Sequence, residues 1–272
     1  MPGNILITGA SSGIGLACTR QLAALGYRVF AGVRSKAASD TVRGIAPGVT
    51  PVILDVCQPA SISEALGALG GEPLAGLINN AGIAAIGPLE LVPLDEWRRQ
   101  FEVNVLGLVA VTQACLPQLR RGVGRIVNIG SIAGRSALPG SGAYDSSKFA
   151  LEGISDALRM ELRPFGIHVS LIEPGAIATP IWEKTLVGFD KQNREATPEL
   201  NALYSDLTSR IREEIVRLAD SALPPEAVAD AVMHAITASM PKTRYVVGRD
   251  ARLALLLNLL PDRVRDWLIL RG

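Results

Sequence analysis

A chain of 272 residues falls within the range that α/β folds occupy as one domain, and 48% apolar against 19% charged residues supplies material for a single large core. Lys and Arg number 27 and Asp and Glu 26, so no surplus field draws nucleic acid or acidic lipid, and polyanionic partners are not expected. The three cysteines, Cys18, Cys57 and Cys115, form no CxxC pair or metal-type cluster, and they read as buried thiols in a reducing compartment.

The first ten residues lack a basic region followed by a long apolar stretch, so no signal peptide is expected and a cytoplasmic location follows. Short aliphatic and β-branched runs then recur: Ile5–Ile7, Arg28–Val33, Val52–Leu54, Gly76–Ile78, Arg125–Ile129, His168–Ile172 and Tyr245–Val247, with helix-length amphipathic stretches between them. The runs are continuously apolar, as strands buried on both faces are. The pattern predicts an α/β fold: one doubly wound, Rossmann-like parallel sheet of about seven strands, helices on both faces, and residues 1–272 forming a single domain.

Two segments break the rhythm. From Ala176 to Ala222 come Pro180, Gly188, a polar patch over Asp190 to Pro198 and a charged helix-like stretch ending near Arg217. The segment reads as a helical lid over a site, with a peripheral helical hairpin as the alternative. At the carboxyl end, residues 249–271 mix leucines with Arg252, Arg263, Arg265 and Arg271; this segment suits packing on another subunit in preference to lying on a membrane surface. Leu253 to Leu260 is far shorter than the roughly 20 residues of a spanning helix and is closed by Pro261.

The chemistry-bearing residues start directly after the first strand, at Thr8-Gly9-Ala10-Ser11-Ser12-Gly13-Ile14-Gly15, followed by Cys18, Leu22 and Leu25 at helical spacing. A strand, glycine turn and helix allow close backbone approach, and the helix's free N–H groups and positive dipole end can hold a pyrophosphate. A tight turn with no ligand is the alternative for this motif alone. At the end of the second strand Val33 stands where a carboxylate would bind a ribose 2′-hydroxyl, and Arg34 follows, able to pair with a 2′-phosphate and helped by Lys36. NADP(H) is therefore expected over NAD(H), unless Arg34 is merely an exposed strand-end arginine. Tyr144 and Lys148 lie four apart in a helix-compatible run, Ala143 to Arg159, and so share a face. An ammonium about 4 Å from the phenol favours its anion by on the order of 4 kcal/mol, enough to lower a pKa of about 10 to about 7 with desolvation left out. Ser131, after the strand Arg125–Ile129, offers a second donor to a carbonyl oxygen. Only His168 and His234 are present as histidines, both read as structural, and no metal is expected.

Taken together, Thr8–Gly15, Asn79-Asn80-Ala81-Gly82, Asn104, Ser131, Tyr144-x-x-x-Lys148 and Pro174-Gly175 resemble the short-chain dehydrogenase/reductase family in order and separation over nearly the whole chain. Phe149 to Pro174 resembles the branch that includes retinol and 17β-hydroxysteroid dehydrogenases. The resemblance implies Tyr144, Lys148, Ser131 and Asn104 as catalytic residues, with Asn104 holding a relay water in the helical stretch Trp97 to Leu119. It places Gly9, Ser11, Ser12, Gly13, Ile14 and Gly15 at the phosphates, Asp55 and Val56 near the adenine, and Asn80, Ala81 and Gly82 along the ribose and bridging region. Pro174, Gly175, Ile177 and Thr179 embrace the nicotinamide, which Tyr144 and Lys148 also touch. Asn79 is expected to tie strands together, and a structural role for Asn80 stays open. Apolar pocket walls are read in Ile132, Ala137, Leu138, Pro139, Ile181, Trp182 and Leu186, suited to a steroid-, retinoid- or ketone-like substrate. The resemblance further implies a homodimer or homotetramer through the helices carrying Asn104 and Tyr144. The expected function is hydride transfer between NADP(H) and a carbonyl or alcohol; a non-catalytic NADP(H) sensor and a same-fold dehydratase or epimerase are the alternatives.

Overall fold

The computed structural model describes residues 3–271; Met1 and Pro2, where the signal-peptide reading begins, and Gly272 lie outside the described residues. The strands are β1 Asn4–Ile7, β2 Arg28–Val33, β3 Val49–Ile53, β4 Leu74–Asn79, β5 Arg125–Ile129, β6 His168–Pro174 and β7 Arg244–Val247. They make one seven-stranded sheet in the order β3-β2-β1-β4-β5-β6-β7 with every pairing parallel. The helices are α1 Gly13–Ala24, α2 Lys36–Val42, α3 Pro59–Ala68, α4 Leu94–Phe101, α5 Gly107–Gly122, α6 Gly142–Leu162, α7 Ile181–Glu195, α8 Pro198–Asp220, α9 Glu226–Thr237, α10 Arg249–Leu257 and α11 Asp262–Arg271.

Alternation along β1 shows why the sheet is covered on both sides. Ile5 and Ile7 join Cys18 and Leu22 of α1 and Val228 and Val232 of α9 in one buried cluster. Leu6, between them, faces the other way into a cluster with Ile62 of α3, Val111 and Leu119 of α5 and Leu162 of α6. Each fully buried Ile or Leu contributes roughly 1.5–3 kcal/mol relative to exposure, so the two clusters supply the main drive for assembling the layers. The chain leaves β1 toward β2 on one side and returns as β4 on the other. That reversal opens a crevice at the carboxyl ends of β1 and β4, the ligand position in sheets of this topology.

The structure departs from expectation in two places. The stretch from Trp97 to Leu119 is not one α-helix: Glu102–Leu106, which carries Asn104, winds as a π-helix between α4 and α5. Such wide turns cost hydrogen-bond geometry and concentrate at functional sites. Within the polar patch over Asp190 to Pro198 the chain breaks between two helices, since α7 runs through to Glu195 and Pro198 opens α8, where its missing N–H costs nothing. Thr197 caps that second helix by accepting from Leu200 N, 3.3 Å away. Cys57 is half-buried, not buried, because it sits in the turn after β3; Cys18 and Cys115 are buried, and all three are free thiols. No helix among the described residues is long and apolar enough to cross a membrane.

Candidate active site

The glycine turn is shaped by close approach. Gly9 and Gly13 have φ of +66° and +51°, values that disfavour a side chain, and a Cβ on Gly15 would run into Gly9 O and the Asn80 amide. Thr8 and Asn80 lock the turn to the end of β4. The Thr8 hydroxyl accepts from Asn80 N and Ala81 N, both at 2.9 Å, and Asn80 Nδ2 donates to Thr8 O at 2.9 Å and Gly9 O at 3.0 Å. The Asn80 side chain therefore braces the turn, while Ala81 and Gly82 line the crevice beyond it. Ser12 stands at the N-cap of α1 without a side-chain cap bond, and the first turn has no acidic residue. Its N–H groups thus lack an internal anion, a donor set that fits a pyrophosphate beside the half-buried Ser11 and Ile14. Thr179 closes the far side, its methyl group packed where a Cβ on Gly13 would stand.

Arg34 is exposed directly after β2, and Lys36 opens α2 behind Ser35, whose hydroxyl accepts from Ala38 N at 3.2 Å. Asp55 turns inward on its own loop, accepting from Cys57 N at 3.0 Å, and Val56 is buried against Gly107. On the other side of the crevice, Pro174 ends β6. Asp250 packs against Gly175 and accepts from Ala176 N at 2.7 Å, and Ile177 O takes the Trp182 indole N–H at 2.7 Å.

Tyr144 and Lys148 rise from the first two turns of α6 toward this crevice, and Ser131 faces them from the end of β5. The Ser131 hydroxyl accepts from Ala133 N at 3.1 Å, lies 3.5 Å from Pro174 O, and is near enough to the Tyr144 phenol to favour its anion. Lys148 Nζ donates to Ile129 O at 3.0 Å and sits 5.7 Å from the centre of the Tyr144 ring. A Cβ on Gly82 would lie 3.5 Å from Asn104 Oδ1 and 4.0 Å from Lys148 Nζ, so these two side chains meet across Gly82. Asn104 clamps the loop after β4, accepting from Ile83 N at 2.9 Å and donating to Ile83 O at 3.0 Å and Ser147 Oγ at 3.1 Å. Its side-chain amide is thus engaged with protein.

The electrostatics add the desolvation that the ion-pair figure at about 4 Å leaves out. Among protein groups alone, burial pushes Tyr144 up to about 12, partly opposed by the nearby Ser131 hydroxyl, and burial draws Lys148 down to about 8. The Lys148 ammonium is directed at Ile129 O. Asp145, the next residue, is also buried and raised to about 7, its Oδ2 accepting from Leu138 N at 2.9 Å.

Ser131, Tyr144 and Lys148 stand together as their spacing predicts, but their supports were not visible in the sequence. Asn79 ties strands as expected, donating at 2.9 Å to both Thr112 Oγ1 and Asn128 Oδ1, and Asn128 donates to Ser155 Oγ at 2.9 Å, joining β4, β5, α5 and α6. Behind α6 an unexpected clamp holds fully buried Glu173: Arg244 Nε reaches its Oε1 at 3.1 Å, while Arg244 Nη2 pairs with Glu152 and Asp156 at 2.9 Å each. These partners are remote in sequence and carry no motif. On the substrate side, Trp182 and Leu186 pack with Ile86, Phe189, Ile211 and Ile215 in the small core of the α7–α8 hairpin. Ile132 and Ile181 are half-buried, whereas Ala137, Leu138 and Pro139 stand exposed at the rim. His234 Nδ1 meets Tyr245 Oη at 2.8 Å, a structural contact.

A parallel sheet with a glycine turn at its switch point, and a serine, tyrosine and lysine converging beside it, defines the nicotinamide-dependent oxidoreductase class of Rossmann-like proteins. A family model described as short chain dehydrogenase matches residues 3–187, and the chain belongs to the short-chain dehydrogenase/reductase family. It is 40% identical to an uncharacterized oxidoreductase, YbbO, of Escherichia coli K12, over 99% of this chain and 94% of that one. It is 36% identical to an NADPH-dependent 3-dehydrocapnine reductase of Ornithobacterium rhinotracheale, covering 96% and 94%. Mouse retinol dehydrogenase 5 is also 36% identical, with 98% and 89% covered, in keeping with the branch resemblance. Among solved structures, a short chain dehydrogenase of Burkholderia cenocepacia in complex with NADP superposes with a TM-score of 0.73 at 25% identity, over 96% of this chain and 94% of that one.

Proposed function

We propose that the protein is an NADP(H)-dependent carbonyl reductase or alcohol dehydrogenase acting on lipophilic small molecules. The observation that carries this reading is the convergence of Ser131 after β5 with Tyr144 and Lys148 on one face of α6, Lys148 Nζ lying 5.7 Å from the Tyr144 ring centre, in a fold whose α1 begins at an uncapped N-terminus. When bound, the nicotinamide cofactor supplies or accepts the hydride. Ser131 Oγ and Tyr144 Oη both donate to the carbonyl oxygen, Tyr144 releases its proton to that oxygen, and Lys148 offsets the charge left on the phenol. A phenol held protonated by burial can donate its proton to the carbonyl oxygen at neutral pH. Arg34, exposed beyond β2 with no carboxylate at the strand end, supports a 2′-phosphate and hence NADP(H).

The apolar hairpin core and the rim at Leu138 favour a bulky apolar carbonyl of the ketone, steroid or retinoid kind. Leu106 and Phe149, 55% and 45% exposed on the π-helix and α6, favour association of copies through these helices. Three free thiols accord with a reducing, cytoplasmic setting.

The test is loss of reduced-cofactor absorbance with NADPH and with NADH against a panel of ketones, steroids and retinal. NADPH-selective consumption with apolar carbonyls is the expected result. Tight NADPH binding with no consumption across the panel would replace this reading with a cofactor sensor.

A further inference from the structure

The near-zero net charge of the chain conceals a local separation at its carboxyl end. On α10, Arg249, Arg252, Leu253 and Leu256 recur at helical spacing and are exposed, and Leu259 stands exposed in the turn that follows, the three leucines by 58%, 62% and 80%. On α11, Val264, Trp267 and Leu270 continue the apolar surface at 45%, 51% and 60% exposure, and Arg263 stands beside them. The acids of the same helices are each engaged: Asp250 accepts from Ala176 N, and the exposed Asp262 and Asp266 both pair with Arg265, at 3.2 and 3.6 Å. Among the described residues no acid pairs with Arg249, Arg252 or Arg263. Three arginines free of acidic partners thus stand among the exposed apolar side chains.

We propose that the α10–α11 face is a docking surface for anionic lipid bilayers. Leucines and a tryptophan flanked by unneutralised arginines match an interface with hydrocarbon below and phosphate above. A second copy fits less well: an isologous contact would set Arg249, Arg252 and Arg263 near their own counterparts, while the exposed acids Asp262 and Asp266 are already engaged by Arg265. The surface is rigidly joined to the substrate side of the molecule. Asn258, at the end of α10, donates to Arg135 O at 2.7 Å, and Arg135 follows the Ile132–Gly134 turn that leaves Ser131. Fully buried Ala251 fixes the start of α10 from within. Docking would thus bring the exposed rim at Leu138 toward the bilayer, where lipophilic carbonyls partition; this last step rests on the proposed function, whereas the lipid surface itself does not.

The experiment is co-sedimentation of the full chain with phosphatidylcholine vesicles and with phosphatidylcholine–phosphatidylglycerol vesicles, alongside sedimentation equilibrium without lipid. Variants are Leu253→Ser with Leu256→Ser, and Arg249→Gln with Arg252→Gln, each checked by far-UV circular dichroism for an intact fold. Recruitment by the anionic vesicles that weakens with salt, falls about tenfold or more in the leucine variant and about thirtyfold in the arginine variant is the expected result. No recruitment, or equal recruitment by neutral vesicles, overturns the proposal. Loss of a larger species in the leucine variant, without vesicle binding by the unaltered chain, assigns the face to a second copy instead.

Discussion

The cofactor end and the substrate end of the crevice are built by different means. At the glycine turn the backbone itself is the functional surface, held by Thr8 and Asn80 to the end of β4 so that hardly any atom can be added. At the proposed substrate end the candidate walls are side chains on the α7–α8 hairpin, packed in a small core of their own, and an exposed rim at Ala137–Pro139. The first end tolerates little change; the second can be re-lined by single substitutions without disturbing the sheet. One catalytic frame can therefore serve many substrates, and the fold alone does not name this one.

The contrast breaks most sharply at Tyr144. Tyr144→Phe keeps the ring and removes the transferable proton, so turnover falls by about 10²–10⁴-fold while NADPH affinity holds, as read by steady-state kinetics and cofactor fluorescence. Gly15→Ala tests the rigid end: the added methyl meets Gly9 O and the Asn80 amide, costing about 1–3 kcal/mol in thermal unfolding and at least about tenfold in NADPH affinity. Arg34→Asp weakens NADPH by about 10–100-fold in equilibrium binding with little change for NADH. An equal change for both cofactors would show that Arg34 does not read the 2′-phosphate.

Asp145 offers a sharper probe of the join between the two ends. Its folded pKa is raised from 3.8 to about 7, so the native state keeps a proton that the unfolded chain has already lost between those values. The associated stability is present in acid and lost as pH rises through about 7. Asp145→Asn cannot ionise and keeps an acceptor for Leu138 N; against a ceiling of ~4 kcal/mol, it gains about 2 kcal/mol over the unaltered protein between about pH 5 and pH 8 in denaturant melts. The smallest effect is expected at the rim: Leu138→Ala raises KM for bulky apolar carbonyls by about threefold and leaves small ketones unchanged, because a 42% exposed leucine loses only part of its contact.

The sheet was legible because continuous apolar runs between glycine and helix signals leave a parallel, doubly covered arrangement as the natural solution, and Arg28–Val33 and Arg125–Ile129 match their strands residue for residue. The reacting side chains were legible through spacing. Their environment was not. The Glu173–Arg244–Glu152 clamp joins residues that only the fold brings together, the π-turn at Asn104 leaves the helical pattern of its sequence intact, and the desolvation of Tyr144 depends on what packs above α6. The mixture of leucines and arginines at the carboxyl end was legible in the sequence, whereas which arginines lack an acidic partner shows only in the fold.

Stopped-flow oxidation of saturating NADPH by an apolar ketone, compared between the unaltered protein and Tyr144→Phe in a single turnover, tests the central claim most directly. The account predicts rapid oxidation in the first and a loss of at least about a hundredfold in the second, at equal NADPH affinity. Equal single-turnover rates in the two proteins would contradict it and remove Tyr144 from proton transfer.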